Sequence, residues 1–396
     1  MQRKKWLYSI IAIIFAVVIC GAIKSAVDQR RFATMPCDFI MPSEFALPES
    51  RLVAVGTATH GNSDPFAATL AVLQEIYETH GAVALILEEN VGDAETVSLQ
   101  HAYSGELGQS VGYYLIYENR EMSAILRWLE ENNQRLYGVD IQNIEPVVKR
   151  VTERLIGFGF TEVEGKLLLA SDTESIEKNF LELDTIEHFL NARHDDGSLS
   201  EQEYDYLLHQ VDCIRMHYEY RLTERSHFDV RDEMMAKNTE WVMEYEQKYY
   251  NNDYAVLLGS NGHVVKTPWK YENNHIDDVF CPMGVTLDKN LGKDYFVIIT
   301  DAAESYFTAG VGTGKTHQKI FHITREDLPI KVNGSSYFTT QELLDDGHIN
   351  WDMTMIGATT TTMQTWDKKW YAIPVKVSDA FDALLLSDKM TSIHKH

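Results

Sequence analysis

Residues 52–61 read Leu52-Val53-Ala54-Val55-Gly56-Thr57-Ala58-Thr59-His60-Gly61, a short apolar run that stops in a glycine loop carrying a histidine. Such a run, bounded by glycine, has the pattern of a strand buried on both faces. Residues 65–80 continue with helical spacing: Pro65 stands near the start, and Leu70, Leu73, Ile76 and Tyr77 fall on one face. Residues 82–87 are a second buried strand, running directly into Glu88-Glu89-Asn90. A second amphipathic helix spans 121–133 (Met122, Ile125, Leu126, Leu129), and Leu136-Tyr137-Gly138-Val139-Asp140 is a third strand ending in an acid. Strands alternating with helices predict an α/β fold, with a mostly parallel central sheet covered by helices on both faces.

The same rhythm resumes after a gap. Residues 254–258 lead into Gly259-Ser260-Asn261-Gly262-His263, and residues 295–300 lead into Asp301. Residues 370–375 and 380–386 supply two further strands. Between the halves, residues 146–250 read as charge-rich helices (201–225 and 231–249 among them), predicting a helical insertion folded over the sheet as a lid-like subdomain. The organisation expected is therefore an α/β core of 51–145 and 251–390, an insertion of 146–250, and an irregular linker over 27–50. Pro36, Pro42 and Pro48 break any long helix in that linker.

Residues 1–26 belong to a different regime. Arg3, Lys4 and Lys5 precede an apolar stretch from Trp6 to Ile23, which Lys24 closes. Those 18 residues would make about 27 Å of helix, enough for a hydrocarbon core. Basic residues before the run keep the N-terminus in the cytoplasm. A transmembrane anchor is expected, with the folded part outside the cytoplasm. A cleaved signal, and hence a secreted protein, is the alternative, although Lys24 spoils the obvious cleavage register.

The 396 residues carry 35 basic and 59 acidic side chains, a net charge of −24. Anionic phosphates are repelled by such a surface, which argues against nucleic acid as a partner. At 44% apolar and 24% charged residues, the chain has a globular composition and can bury a sizeable core without staples. Cys37, Cys213 and Cys281 lie beyond the apolar run, an odd number with no zinc-like spacing, and read as buried thiols with at most one disulfide.

Ligands of open parallel sheets bind at the carboxyl ends of the strands. The polar residues there are Thr59 and His60, Glu88 and Glu89, Asp140 and Gln142, Asn261 and His263, and Asp301. Five strand ends bearing polar or acid/base groups exceed what sheet packing requires, which predicts one polar site.

The residues also resemble a known family. Gly56-Thr57-Ala58-Thr59-His60-Gly61, with Leu85-Ile86-Leu87-Glu88 after it, resembles the opening of the erythromycin esterase family, as does Gly138-Val139-Asp140-Ile141-Gln142. Residues 231–241, with Arg231, Met235-Ala236, Asn238 and Trp241, are similar to that family's Arg-x-x-x-Met-Ala-x-Asn-x-x-Trp signature. Ser260-Asn261-Gly262-His263-Val264 matches its second histidine motif, and Met283-Gly284, Leu291-Gly292 and residues 380–384 fit the family's more C-terminal segments.

The resemblance implies an α/β core with a helical subdomain and hydrolysis of an ester or lactone, a macrolide in characterised members. It casts His60 as the general base that activates water, since imidazole titrates near neutrality. Glu88 would orient His60, and Arg231 and His263 would face the carbonyl or the developing oxyanion. Asp64, Glu89, Asp140, Gln142 and Asn261 would contact substrate or support those groups. Two positions depart from the family pattern: Thr57 stands where Glu is usual, and Ser260 where His is usual.

Rival chemistries have weaker signals. Residues 309–316 (Ala309-Gly310-Val311-Gly312-Thr313-Gly314-Lys315-Thr316) match a relaxed phosphate-loop pattern, but the next residues alternate like a strand instead of opening a helix. No Gly-x-Ser-x-Gly elbow and no His-Glu-x-x-His occur, so neither a serine nucleophile, a metal nor another cofactor is expected. The alternative class is a non-catalytic envelope protein that binds a ligand such as a glycan in the same cleft.

Overall fold

The computed structural model describes residue 19 and residues 23–37, 39–92, 94, 117, 119–160, 173–271, 279–311 and 314–394. A nine-stranded sheet forms its centre. Its main path runs β3 (Arg135–Asp140), β2 (Ala84–Asn90), β4 (Ala255–Ser260), β1 (Leu52–Thr57), β5 (Tyr295–Val311), β11 (Ala383–Met390) and β7 (Ser335–Thr339). The first six are mutually parallel and β7 is antiparallel. The mixed α/β architecture with a mostly parallel sheet is thus present.

Burial explains the strands. All six residues of β1 are buried, and alternate residues supply opposite faces. Leu52 and Ala54 join one apolar cluster with Ala84, Ile86, Met235 and Met283. Val53 and Val55 join another with Leu85, Leu87, Phe66 and Leu73. Both faces of the sheet are therefore packed, as the unbroken apolar runs require.

The helices begin and end where local chemistry dictates. A first helix, α1, covers residues 23–33. α2 (Asp64–His80) opens with proline in its first turn and stops at Gly81, whose φ of +81° favours glycine. Asn119 caps α3 (Arg120–Glu131) by accepting from Met122 N at 2.7 Å. Between β3 and β4 run α4 (Glu145–Gly157), α5 (Thr173–Asp195), α6 (Glu201–Leu222) and α7 (His227–Tyr250). Val147, Leu183, Leu190, Val211 and Ile214 give this helical layer its own core. Ser226 caps α7, placing Arg231 and Asp232 in its second turn.

Several expectations need correction. The segment expected as an irregular linker is helical through residue 33. It is tied to β6 (Gly314–Thr324), with Gln29 Nε2 donating to Ile320 O and Ile320 N donating to Gln29 Oε1, each at 2.7 Å. Most of the run expected to span a membrane lies outside the described residues; among the described residues no helix is long and apolar enough to cross one. The strand expected at 370–375 is β10 (Ala372–Lys376), but it pairs only with β8 (Asn350–Thr354) in a separate two-stranded sheet. Cys213 is buried, Cys37 half-buried and Cys281 exposed; all three are unbridged. β6 pairs antiparallel with β5, so a strand and not a helix follows the glycine-rich segment that mimics a phosphate loop.

Candidate active site

The carboxyl ends of four neighbouring strands converge on one carboxylate. Glu88, the fifth residue of β2, is buried. Its Oε2 accepts from Ser260 N at the end of β4 at 2.8 Å. Its Oε1 accepts from Arg231 Nη2 at 3.1 Å and lies 3.2 Å from His263 Nε2 and 3.9 Å from His60 Nε2.

Arg231 reaches in from α7 and pairs with the acid that ends β3. Its Nε and Nη2 donate to the two oxygens of Asp140 at 3.1 and 2.8 Å, a bidentate ion pair. Asp140 Oδ1 also accepts from Ile141 N and Gln142 N. This positive charge, set between two carboxylates and a histidine, belongs to the protein itself.

His263 sits in a one-turn helix, α8 (Asn261–Val264), that directly follows β4. Its Nδ1 donates to Asp232 Oδ1 at 2.7 Å, and Met283 N donates to the same oxygen at 2.9 Å. The Phe228 ring stacks on the imidazole at 5.0 Å between centroids. Burial alone would push the pKa of His263 down, but Asp232 and Glu88 outweigh it and raise it to about 10. This shift favours an imidazolium whose Nε2–H would point to Glu88. Arg231 Nη1 lies 3.1 Å from Nε2, and its Nη2 shares the Glu88 carboxylate with the ring.

His60 follows β1 in a pinned turn. Ala58 N donates to Thr300 Oγ1 at 3.1 Å, Thr59 Oγ1 donates to Asn62 Oδ1 at 2.5 Å, and His60 N donates to Ile356 O at 3.2 Å. The imidazole is the most open side chain of the group, 12% exposed against 5% for Glu88. Thr57 Oγ1 lies 3.4 Å from its Nδ1. Desolvation pushes the pKa of His60 below the ordinary histidine value. Glu88 opposes this, while His263 and Arg231 add to it. The carboxyl of Glu88 is held well below the carboxylate range: burial opposes this, but His263 and Arg231 prevail.

The structure therefore brings His60, Glu88, Asp140, Arg231 and His263 together. Five other sequence candidates engage differently. Asp64 accepts from Ser63 Oγ and from Thr391 N and Oγ1, and burial raises its pKa to about 6. Glu89 accepts from the backbone and side-chain amides of Asn90. Asn261 donates to Thr300 O and Thr354 O, tying β4 to β5 and β8. Gln142 contributes its backbone N–H to Asp140, and its side chain is exposed. Asp301 accepts from Trp351 Nε1 and Thr354 N, outside the cluster.

Asp232 escaped the sequence reading. Its signal was modest, an acid directly after the singled-out Arg231 on a helix that had to face a histidine. Trp241, which closes the same signature, instead stacks on His209 at 3.5 Å, beside a separate cavity of about 300 Å³ between β3 and the helices. Among the described residues no group of three or more His, Cys, Asp or Glu side chains is arranged to hold a metal ion.

A sequence model of the erythromycin esterase family matches residues 77–390. This chain belongs to the erythromycin esterase family. Solved structures share the fold of this family member at low identity. A Bacillus cereus protein is 19% identical over 88% of this chain and 91% of its own, with a TM-score of 0.69. A protein described as a succinoglycan biosynthesis protein is 14% identical over 93% and 99%, with a TM-score of 0.65. A mutant of the erythromycin esterase EreC in its open conformation is 15% identical over 87% and 92%, with a TM-score of 0.59. No curated protein matches the chain. The α/β expectation drawn from the resemblance is met by these structures, and the family assignment by the match over 77–390.

The Asp232–His263 pair yields a specific expectation. Asp232→Asn keeps a hydrogen-bond acceptor for Nδ1 but removes the charge that holds the imidazolium. The pKa of His263 should then fall by one or more units, and any activity that needs His263 charged should lose its alkaline limit near pH 10 for one nearer neutrality. An activity–pH profile of the two proteins checks this. An unchanged alkaline limb would show that Asp232 does not hold the charge.

Proposed function

We propose that the protein is a hydrolase in which neutral His60 removes a proton from water attacking an ester or lactone carbonyl. The observation that carries this reading is that two histidines share Glu88 but are held differently: His263 lies 2.7 Å from Asp232 and 3.2 Å from Glu88, whereas the more open His60 has only Glu88, at 3.9 Å; burial accordingly pushes His60 down, and the two acids raise His263. Titratable neighbours driven apart in this way divide into a base and an acid.

The charges also favour the step. Glu88, Asp140 and Asp232 are three carboxylates against two cations, Arg231 and His263. A proton gained by His60 leaves the cluster neutral, with the new imidazolium 3.9 Å from Glu88. Thr57 Oγ1 can accept from Nδ1, leaving Nε2 as the basic nitrogen. The fields of Arg231 and His263 would stabilise negative charge developing on the carbonyl oxygen. Family membership supports a small-molecule ester or lactone as substrate, a macrolide among the candidates. The N-terminal apolar run supports a membrane-anchored protein with the folded part outside the cytoplasm.

A second reading, a non-catalytic binder of an envelope glycan, is favoured by Thr57 and Ser260, which stand where the family usually has Glu and His. Mass-spectrometric screening of the protein against macrolides, small esters and glycan esters separates the two. A product heavier by one water, lost in His60→Ala, is expected. Ligand binding with no product would support the binder.

The pH dependence has a definite sign. His60 must be unprotonated, so activity rises with pH through a pKa below the ordinary value of about 6.5. His263 must stay charged, so activity falls only as pH rises through about 10. The stabilisation from the His263 ion pairs is likewise full below about 6.5 and is lost as pH rises through about 10. A rate–pH profile with a plateau centred well above pH 7 is the expected outcome, and a fall through neutrality would contradict it.

A further inference from the structure

Two adjoining elements of this acidic chain expose large apolar side chains. Ile23 and Val27, four residues apart on α1 and so on one face, are each 59% exposed. Met363 and Trp366, in the turn after β9 (Thr359–Thr360), are 72% and 77% exposed. The two elements are neighbours, because Trp366, Thr362 and Thr365 of the turn border the same surface depression as Lys24 and Asp28 of α1.

Both elements are held in place. The Gln29–Ile320 pair of hydrogen bonds fixes α1 to β6, and Phe32 packs on Tyr306 at 4.8 Å. The turn is shaped from within: Gln364 Oε1 accepts from Thr361 N at 2.7 Å, and Thr365 Oγ1 donates to Thr362 O at 2.8 Å. Its apolar side chains are therefore presented by ordered backbone.

We propose that the turn over residues 361–370, with the exposed face of α1, is a bilayer-contact surface that seats the domain directly on the membrane. Its location argues for lipid as the occupant. In sequence the apolar run Trp6–Ile23 ends where α1 begins, and Lys24 of α1 borders the same depression as Trp366, so a bilayer holding that run would adjoin this face. Its chemistry agrees, since tryptophan and lysine concentrate at the membrane–water interface. Trp366 shares its depression with Lys24 and Lys319. The inference rests on the anchoring reading given above.

The test is the full-length chain in phosphatidylcholine vesicles with brominated acyl chains, compared with Trp366→Phe. Trp366 is exposed, so the variant loses no core contact, and circular dichroism confirms its fold. The expected result is co-flotation of both proteins, with clearly less bromine-quenched tryptophan emission in the variant. Co-flotation with equal quenching overturns this inference and leaves the anchoring reading standing. Failure to float overturns both. Trp366 shielded from lipid, with concentration-dependent self-association, would assign the patch to a second copy of the chain and overturn the proposal.

Discussion

His60→Ala is expected to lower the proposed hydrolysis rate by about 10²–10⁴-fold, the usual cost of losing a general base, which is about 3–5.5 kcal/mol of barrier. The fold should survive, because His60 makes no short ion pair and is the most solvent-accessible member of the cluster. Substrate affinity should change far less than turnover, since the proposed role is in the proton-transfer step alone. Steady-state kinetics on whichever ester the screen identifies, with denaturation curves for both proteins, measure the two effects separately. Turnover retained within a few-fold, with the protein folded, would remove His60 from the mechanism.

Arg231→Met acts on stability as much as on rate. Arg231 is the cation that pairs bidentately with Asp140, which is 1% exposed. Removing one member of a buried pair strands the other charge and costs about 3–5 kcal/mol, a large share of a typical total stability of about 5–15 kcal/mol. A lower urea midpoint with little change in slope is expected. Adding Asp140→Asn to Arg231→Met should recover part of the loss, because the stranded charge is then gone. Equal midpoints for wild type and Arg231→Met would show that the guanidinium is not paired as described.

The parallel core was legible because β1, β2 and β4 are buried on both faces and so read as unbroken apolar runs. β5 was found but not its length. Beyond Asp301 the strand continues through polar Glu304 and Ser305 to pair with β6 at a sheet edge, where no continuous apolar signal exists. Trp370–Val375 misled because its apolar content suits a central strand. Pro374, which cannot donate to a ladder, accords with its place in a two-stranded sheet.

The cluster itself was largely legible, because strand ends are where such groups collect. The division of labour between the two histidines was not. Each follows a buried strand and a glycine. What separates them is the acid facing each ring: Asp232 at 2.7 Å and Glu88 at 3.2 Å for His263, and only Glu88 at 3.9 Å for His60. Asp232 adjoins Arg231 in the chain, yet consecutive helical residues point in different directions. One reaches Asp140 and the other His263, which no spacing rule reveals.

The most direct test needs no substrate. Titration of the imidazole resonances by nuclear magnetic resonance, assigned with His60→Gln and His263→Gln, reports both protonation states in the free protein. The predicted result is one imidazole, assigned to His60, titrating below the ordinary value of about 6.5, and a second, assigned to His263, still charged until about pH 10. His263 neutral at pH 7, or His60 charged there, would contradict the assignment of base and cation on which the proposed hydrolysis depends.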